Sequence, residues 1–341
     1  MAARTALDVV YPATRQVERW IQRYERGDVP SLWPYGLHDL GERTAVCRWM
    51  EVDEPSRAVK LSARIGGTRV RRALSPADGI SISWDENTAR QMLIARPHRR
   101  MYSGVIWLTD SLGSLTSARG AAIGRVLRSM DGLWVLSRAQ VEPLQEFLGA
   151  AGPPVHAVRF GVDPDFYAHH AYPEQPMLVS IGGDRHRDTL TLFAALEQIL
   201  QRTPAVRIVV QTSSELEAPP GVEKHSYFTQ RQLKDLYRRA SVIAIATRPN
   251  LHVSGMTVSL EAMSTGRPVV VTRTPGMEDY IEDGLTGFLT PVGDADALAG
   301  QVVRLLENRE LARRMGSAGR AFVERTGSTR HLVQDLADII V

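Results

Sequence analysis

The stretch Ser254–Thr272, SGMTVSLEAMSTGRPVVVT, predicts a helix followed directly by a buried strand. Ser254 and Gly255 are suited to open the helix, because a serine oxygen caps free N–H groups and glycine permits a close approach of the backbone. Gly266 is placed to end the helix, and the Arg-Pro pair after it prevents continuation. The three valines at 269–271 then indicate a strand buried in a parallel sheet. We therefore interpret the stretch as one αβ unit.

Glu261 is a lone acid in the middle of this predicted helix. It follows Thr257 by one turn, so the two side chains can face the same space. A helix N-terminus made of Ser254, Gly255 and Thr257 is a possible anion site, because unpaired N–H groups and the helix dipole both favour negative charge. The alternative is an ordinary αβ unit with one acid on a solvated face, and these residues alone do not decide between the two.

Strands and helices alternate along the rest of the chain. Predicted strands lie at 6–11, 44–47, 80–84, 104–108, 132–136 and 155–160, and after a loop-rich segment at 164–176 the pattern restarts with strands at 177–181, 206–211, 242–246 and 288–289. Helices are expected between them, with separate ones at 310–316, 317–325 and 331–340. This alternation is typical of parallel sheets covered on both faces, so the predicted fold class is α/β. Two αβα domains would offer a ligand site in the crevice between them, at the carboxyl ends of the strands.

Composition and charge limit the classes of function. The 341 residues can form two domains, and neither a secretory signal nor an apolar run long enough to span a bilayer is apparent, so we expect a cytoplasmic protein. Cys47 is the only cysteine and allows no internal disulfide and no metal cluster.

Basic residues are concentrated in the N-terminal half. Residues 1–160 contain 22 Lys and Arg against 16 Asp and Glu, and the pairs Arg71-Arg72 and Arg99-Arg100 are among them. This excess favours a phosphorylated acceptor or weak association with an anionic membrane, the alternative being arginines spread over solvated faces. No sequence signature of nucleic-acid binding is present, so nucleic acid is not an expected partner.

A second group of candidate residues follows the strand at 177–181, in the sequence SIGGDRHRD. The group consists of Gly182, Gly183, Arg185 and Arg187. Glycines allow the backbone to approach a phosphate, and guanidinium groups pair with phosphate oxygens in bidentate fashion. A turn with solvated charges is the alternative. Together with the helix N-terminus at 255–257, the group predicts a two-sided clamp for a diphosphate, in which Glu261 would accept hydrogen bonds from sugar hydroxyls.

Four segments of the chain resemble one known family, the glycosyltransferases of family 4, which have the GT-B fold. They are DGLWVLSRAQVEPLQEFLG at 131–149, VHAVRFGVDPDFY at 155–167, QRQLKDLYRRASVIAIAT at 230–247, and SLEAMSTGRPVVVTRTPGMEDYIEDGLTGFLTPVGDADALAGQVVRLLEN at 259–308. The resemblance covers roughly residues 130–325 and is only architectural before them. The sequences RHRD and SGMTVSLEAM make the chain similar to a divergent branch of the family.

The resemblance implies two Rossmann-like αβα domains that face each other across a cleft. An acceptor domain is expected at 1–165, a nucleotide-sugar donor domain at 166–325, and a C-terminal helix at 326–341 that crosses back to the first domain. The implied reaction is a retaining, metal-independent transfer of a hexose from a UDP-, GDP- or dTDP-sugar to a hydroxyl acceptor. The expected acceptor is a sugar, a lipid-linked compound or a small molecule, as in the synthesis of cell-envelope glycans or natural products. No metal and no cofactor beyond the donor are expected.

Matched by position, the resemblance also assigns residues to the donor site. Glu261 takes the place of a glutamate that binds ribose, and Arg187 that of a lysine that binds the diphosphate. The predicted donor-binding residues are Gly182, Gly183, Arg185, Arg187, Phe228, Thr229, Ser254, Gly255, Met256, Thr257 and Glu261. Phe228 and Thr229 are expected beside the nucleotide base. The candidate catalytic residues are Arg185 and Arg187, which would stabilise the leaving diphosphate, and Asp110, which would orient the acceptor.

The sequence departs from the family pattern at three places. Val253 replaces the first glutamate of a paired motif, Thr109 replaces a histidine, and the sequence ATRQ at 13–16 replaces a glycine-rich loop. Asp110 could also be only a polar residue at a strand end, whereas His252 is the one histidine that adjoins the donor loop. Two further functions stay open: a GT-B sugar-nucleotide 2-epimerase, and a GT-B module that binds nucleotides without catalysis.

Overall fold

The computed structural model describes residues 6–44, 46–53, 78–95 and 97–340. The chain divides into two compact units. One consists of residues up to 27, 31–158 and 332 onward, and the other of residues 28–30 and 159–331. Within the described ranges, no helix combines the length and the apolar character that crossing a membrane requires.

The first unit is built on a parallel sheet of six strands, in the order β2-β1-β3-β4-β5-β6. The strands are β1 (Ala6–Pro12), β2 (Val46–Val52), β3 (Ile80–Ser83), β4 (Arg100–Gly104), β5 (Gly132–Val135) and β6 (Val155–Ala157). The α-helices described around it are α1 (Val17–Glu25), α2 (Glu86–Ala95), α3 (Ser117–Leu127) and α4 (Val141–Leu148). β1 lies inside the sheet, with Leu7 opposite Cys47 on one side and opposite Ile80 on the other.

The second unit has its own parallel sheet, in the order β12-β11-β10-β7-β8-β9. The strands are β7 (Met177–Ile181), β8 (Arg207–Gln211), β9 (Val222–His225), β10 (Val242–Ile245), β11 (Val269–Thr272) and β12 (Gly287–Thr290). The helices are α5 (Thr189–Arg202), α6 (Gln230–Arg239), α7 (Met256–Ser264), α8 (Ala295–Glu307), α9 (Arg309–Thr326) and α10 (Thr329–Ile340). From residue 332, α10 belongs to the first unit. The predicted α/β class is confirmed.

One predicted strand was placed four residues too late. The sequence favours a strand at 104–108, but β4 ends at Gly104. A Cβ atom on Gly104 would overlap the carbonyl oxygen of Trp84, so the backbone makes a close approach that only glycine permits. Beyond it the N–H of Ile106 binds the Glu86 side chain instead of a neighbouring strand. The apolar sequence continues beyond the strand because Val105, Ile106 and Leu108 are buried in this loop.

Two further differences concern the second unit. The strand β9 was missed, because its residues VEKH form a largely exposed edge strand without an apolar pattern. The two helices expected at 310–316 and 317–325 are a single helix, α9. Gly316 does not interrupt it but allows it to pack against the end of α7, where Gly266 lies.

Two glycines inside helices give a matched test of this packing. A Cβ atom on Gly316 would overlap the carbonyl oxygen of Gly266, whereas no heavy atom lies within 4 Å of the corresponding position on Gly300 in α8. We expect Gly316→Ala to lower the free energy of unfolding by about 1–3 kcal/mol through overpacking. Gly300→Ala should raise it by about 0.5–1 kcal/mol, because alanine is the better helix former. Denaturant unfolding of both variants checks the prediction, and a Gly316→Ala protein as stable as the wild type would contradict it.

Candidate functional site

Two loops meet at the carboxyl edge of the second sheet. One follows β7 and the other follows β10, and these strands are parallel neighbours from which the chain proceeds in opposite directions across the sheet. Such a switch in strand order is where open α/β sheets bind ligands. Backbone hydrogen bonds join the loops, from Asp188 N–H to Ala246 O at 3.0 Å and from Arg248 N–H to His186 O at 2.8 Å. The two loops therefore form one wall of a site.

Arg187 lies between these loops, with its guanidinium group flanked by two glycines. A Cβ atom on Gly182 would overlap Nε of Arg187, and one on Gly255 would lie 2.9 Å from its Nη1. Nε and Nη1 are buried and have no hydrogen-bond partner within the described chain. Burial lowers the pKa of Arg187 to about 10, so the group stays a cation at neutral pH. Buried donors of a cation that have no partner are costly unless an anion satisfies them.

The N-terminus of α7 adjoins this guanidinium but is capped differently from the prediction. Gly255, not Ser254, is the N-cap, in the left-handed conformation with φ 103°, and no side chain in the described structure caps the helix. Ser254 instead donates its N–H to Oδ1 of Asn250 at 2.8 Å. First-turn N–H groups without a side-chain cap, next to the unpaired donors of Arg187, form the kind of surface that binds phosphate.

Val253 precedes this turn in an unusual conformation. It is fully buried, and its φ of 56° lies in the left-handed region, which β-branched residues rarely adopt. Its carbonyl oxygen accepts the N–H of Met256 at 3.0 Å, which closes the turn into α7. Strain of this kind persists only where the surroundings fix the backbone, and it is often found at ligand-binding sites. The departure from the family pattern thus coincides with a strained backbone.

Glu261 is buried, which excludes the alternative of an acid on a solvated face. Its Oε1 accepts the hydroxyl of Tyr167 and its Oε2 that of Tyr237, both at 2.8 Å. Burial raises the pKa of Glu261 to about 7, although the two tyrosine hydrogen bonds favour the ionised form. Each carboxylate oxygen can accept a further hydrogen bond. The assignment of Glu261 to ribose stays a prediction.

Asp184 is a site residue that the sequence did not single out. Its Oδ2 lies 2.7 Å from Nε2 of His252, and its Oδ1 accepts the N–H of His186 at 2.9 Å. Burial opposes the ionisation of Asp184, but the hydrogen bonds from His252 and His186 outweigh it and hold the pKa of Asp184 well below its usual value. The signal in the sequence was an acid inside GGDRHRD, whose partner His252 is 68 residues away.

The other predicted donor-site residues lie at the same sheet edge in different surroundings. Arg185 and Gly183 are exposed, and Thr257 is half-buried in the first turn of α7. Phe228 follows β9, and its ring centroid lies 4.7 Å from that of His225. Thr229 accepts the N–H of Gln232 as the N-cap of α6, so it has a structural role independent of any nucleotide. Contact of Phe228 and Thr229 with a base stays a prediction.

Asp110 belongs to the first unit, whereas all the other predicted site residues belong to the second. Its loop is fixed by two buried side chains that the sequence analysis missed. Glu86 accepts the N–H groups of Ile106 and Trp107 at 2.8 and 3.1 Å. Gln140 donates to Ile106 O at 3.1 Å and to Oγ1 of Thr109 at 2.9 Å. Thr109, which replaces the family's histidine, is thus buried and holds this loop together with Gln140.

Comparisons with known proteins find similarity to glycosyltransferases. Residues 175–308 match the family model described as glycosyl transferases group 1. The chain is 31% identical to D-inositol 3-phosphate glycosyltransferase of Streptomyces griseus over 156 residues, which is 40% of this chain and only 32% of that protein. It is 27% identical over 320 residues to a GDP-mannose-dependent phosphatidylinositol monomannoside mannosyltransferase of Mycobacterium tuberculosis, covering 85% of this chain and 82% of the relative. The crystal structure of Anabaena HepE in complex with UDP and glucose is similar with a TM-score of 0.67 at 14% identity, covering 98% of this chain and 99% of HepE.

Proposed function

Because the chain has the GT-B fold and is similar to glycosyltransferases of family 4, we propose that it transfers a sugar from a nucleoside-diphosphate sugar to a hydroxyl acceptor. The observation that carries the proposal is the guanidinium of Arg187, whose buried Nε and Nη1 have no partner in the described chain; Nε lies beside Gly182, and Nη1 lies beside Gly255 at the start of α7. A diphosphate would accept hydrogen bonds from both Nε and Nη1. The complex of HepE with UDP supports the same ligand class.

The proposed reaction breaks the bond between C1 of the donor sugar and the diphosphate oxygen. Arg187, with Arg185 and the first turn of α7, would stabilise the charge that develops on the departing diphosphate. The acceptor oxygen forms the new bond to C1 on the face from which the diphosphate departs, so the configuration is retained. The proton of the acceptor hydroxyl passes to the departing diphosphate. Asp110 would orient the acceptor hydroxyl. Retention and independence of a metal are parts of this proposal.

Nucleotide binding and sugar transfer are tested in sequence. Calorimetry with UDP, GDP, dTDP and the matching monophosphates should show at least one diphosphate that binds more tightly than its monophosphate. Donor hydrolysis, followed by NMR of the anomeric linkage in an acceptor product, then tests transfer and retention, with and without EDTA. Binding without turnover would favour a nucleotide-binding module, and interconversion of C2 epimers would favour an epimerase. If no nucleoside diphosphate binds, the proposal is wrong.

We further propose that the acceptor is lipid-linked or anionic and that the basic N-terminal half assists its recognition. The mannosyltransferase relative, by its name, acts on a phosphatidylinositol compound. Arg99 is exposed, with Nη1 3.6 Å from the carboxylate of Asp78, while Arg71 and Arg72 lie outside the described residues. Sedimentation with anionic liposomes should show binding that decreases with salt. An absence of binding at low salt would rule out the membrane part of the proposal.

A further inference from the structure

Asp184 and Arg187 lie on the same tight turn but do not form an ion pair. The N–H of Arg187 donates to the carbonyl oxygen of Asp184 at 3.0 Å, so the turn brings the two residues close together. Bidentate pairing with a carboxylate is the usual arrangement for a buried arginine. Here Nε and Nη1 of Arg187 have no partner in the described chain, although the charge of Asp184 acts on Arg187 and opposes its loss of a proton.

Oδ1 of the Asp184 carboxylate accepts the N–H of His186, and Oδ2 is held by His252. Its Nε2 lies 2.7 Å from Oδ2, and only 3% of its side chain is exposed. The imidazole comes from the loop after β10, so this contact crosses between the two loops of the site. Its ring centroid lies 4.8 Å from that of His186, and the next residue is the strained Val253. The position of His252 is therefore closely fixed.

We propose that His252 is a positioning residue that keeps the Asp184 carboxylate off Arg187, so that the guanidinium donors stay available to the diphosphate. This inference rests on the proposed function. The carboxylate compensates part of the buried positive charge from a distance, without using the hydrogen bonds that the ligand needs. Without His252, Asp184 can turn to Arg187 and form the bidentate pair, and the diphosphate must then displace a carboxylate bound within the same loop.

A double-mutant cycle tests the proposal, using the nucleoside diphosphate that binds the wild type most tightly. His252→Ala should weaken binding at least tenfold in calorimetry. Asp184→Asn combined with His252→Ala should restore most of the affinity, because the competing carboxylate is gone. A merely structural role of His252 predicts the opposite, since the double variant would then bind no better than the single one. Such an outcome overturns the proposal, as does unchanged affinity in His252→Ala.

Further variants separate this effect from loss of folding. His252→Leu keeps the buried volume without the donor and replaces His252→Ala in the cycle if the alanine variant does not fold. His98 offers a matched control, because it is also buried and its Nε2 lies 3.0 Å from Oδ2 of Asp8 in the first unit. His98→Ala should lower the melting temperature without changing the nucleotide affinity. A wild type that binds no nucleoside diphosphate would instead count against the proposed function.

Discussion

Replacing Arg187 with alanine should weaken the binding of a nucleoside diphosphate by about 10- to 150-fold and leave the protein at least as stable as before. Removal of a hydrogen bond to a charged group costs about 1.5–3 kcal/mol, which corresponds to this range. The upper end is expected, because Nε and Nη1 are buried, which strengthens their interaction with an anion. Stability should not fall, since the ligand-free protein loses a cation whose buried Nε and Nη1 have no partner in the described chain. Calorimetry and thermal unfolding measure the two effects.

Arg185 provides the matched control for this prediction. It is an arginine two positions earlier on the same turn, but its side chain is exposed. Exposed charges contribute little to the binding free energy, because water and salt screen them. Arg185→Ala should therefore weaken binding only a few-fold. Equal losses in the two variants would mean that the guanidinium buried between Gly182 and Gly255 has no special role, and an unchanged affinity in Arg187→Ala would contradict the assignment of the site.

The parts of the fold that the sequence predicted well are those where local signals agree. β7 was predicted with the bounds that the structure shows, because five buried residues stand between a proline and two glycines. The segment at 104–108 misled the prediction because a buried loop is as apolar as a strand. Its backbone groups bind the Glu86 and Gln140 side chains, and these partners are distant in sequence.

The sequence indicated which loops form the site but not which side chains bind each other there. Two glycines and two arginines after β7 indicated an anion site, yet only the turn geometry shows that Nε and Nη1 of Arg187 are buried whereas Arg185 is exposed. The hydroxyl of Tyr167 reaches Glu261 over 94 residues of sequence, and that of Tyr237 over 24. Single tyrosines, histidines and acids carry no signal of such pairing, because their partners are set by tertiary packing.

Glu261→Gln should abolish a pH dependence of nucleotide binding that the wild type is expected to show. Burial raises the pKa of Glu261 to about 7, so the carboxyl passes from mostly protonated to mostly ionised between pH 6 and 8. If ribose hydroxyls donate to the ionised form, the affinity should rise by up to about tenfold across this range. A nucleotide sugar is the suitable ligand, because its phosphates do not titrate there. At pH 8 the Gln variant should bind about 10- to 150-fold more weakly than the wild type.

The free energy of unfolding should fall as the pH rises, whereas the affinity for the nucleotide should rise. This difference separates the two roles of the Glu261 carboxyl. The folded-state pKa of Glu261, about 7, lies above the usual glutamate value of 4.5, so the folded protein binds the proton more tightly than the unfolded chain does. This contribution is fully present below pH 4.5 and is lost as the pH rises through 7. It amounts to about 3 kcal/mol. The Gln variant lacks this loss, so at pH 8 it should be at least as stable as the wild type while it binds the nucleotide more weakly.

Tyr237→Phe removes a donor to the Glu261 carboxylate and should shift the midpoint of the binding curve to higher pH. A wild-type affinity that is constant from pH 6 to 8, or a Gln variant that binds as the wild type does, would exclude Glu261 as the ribose ligand.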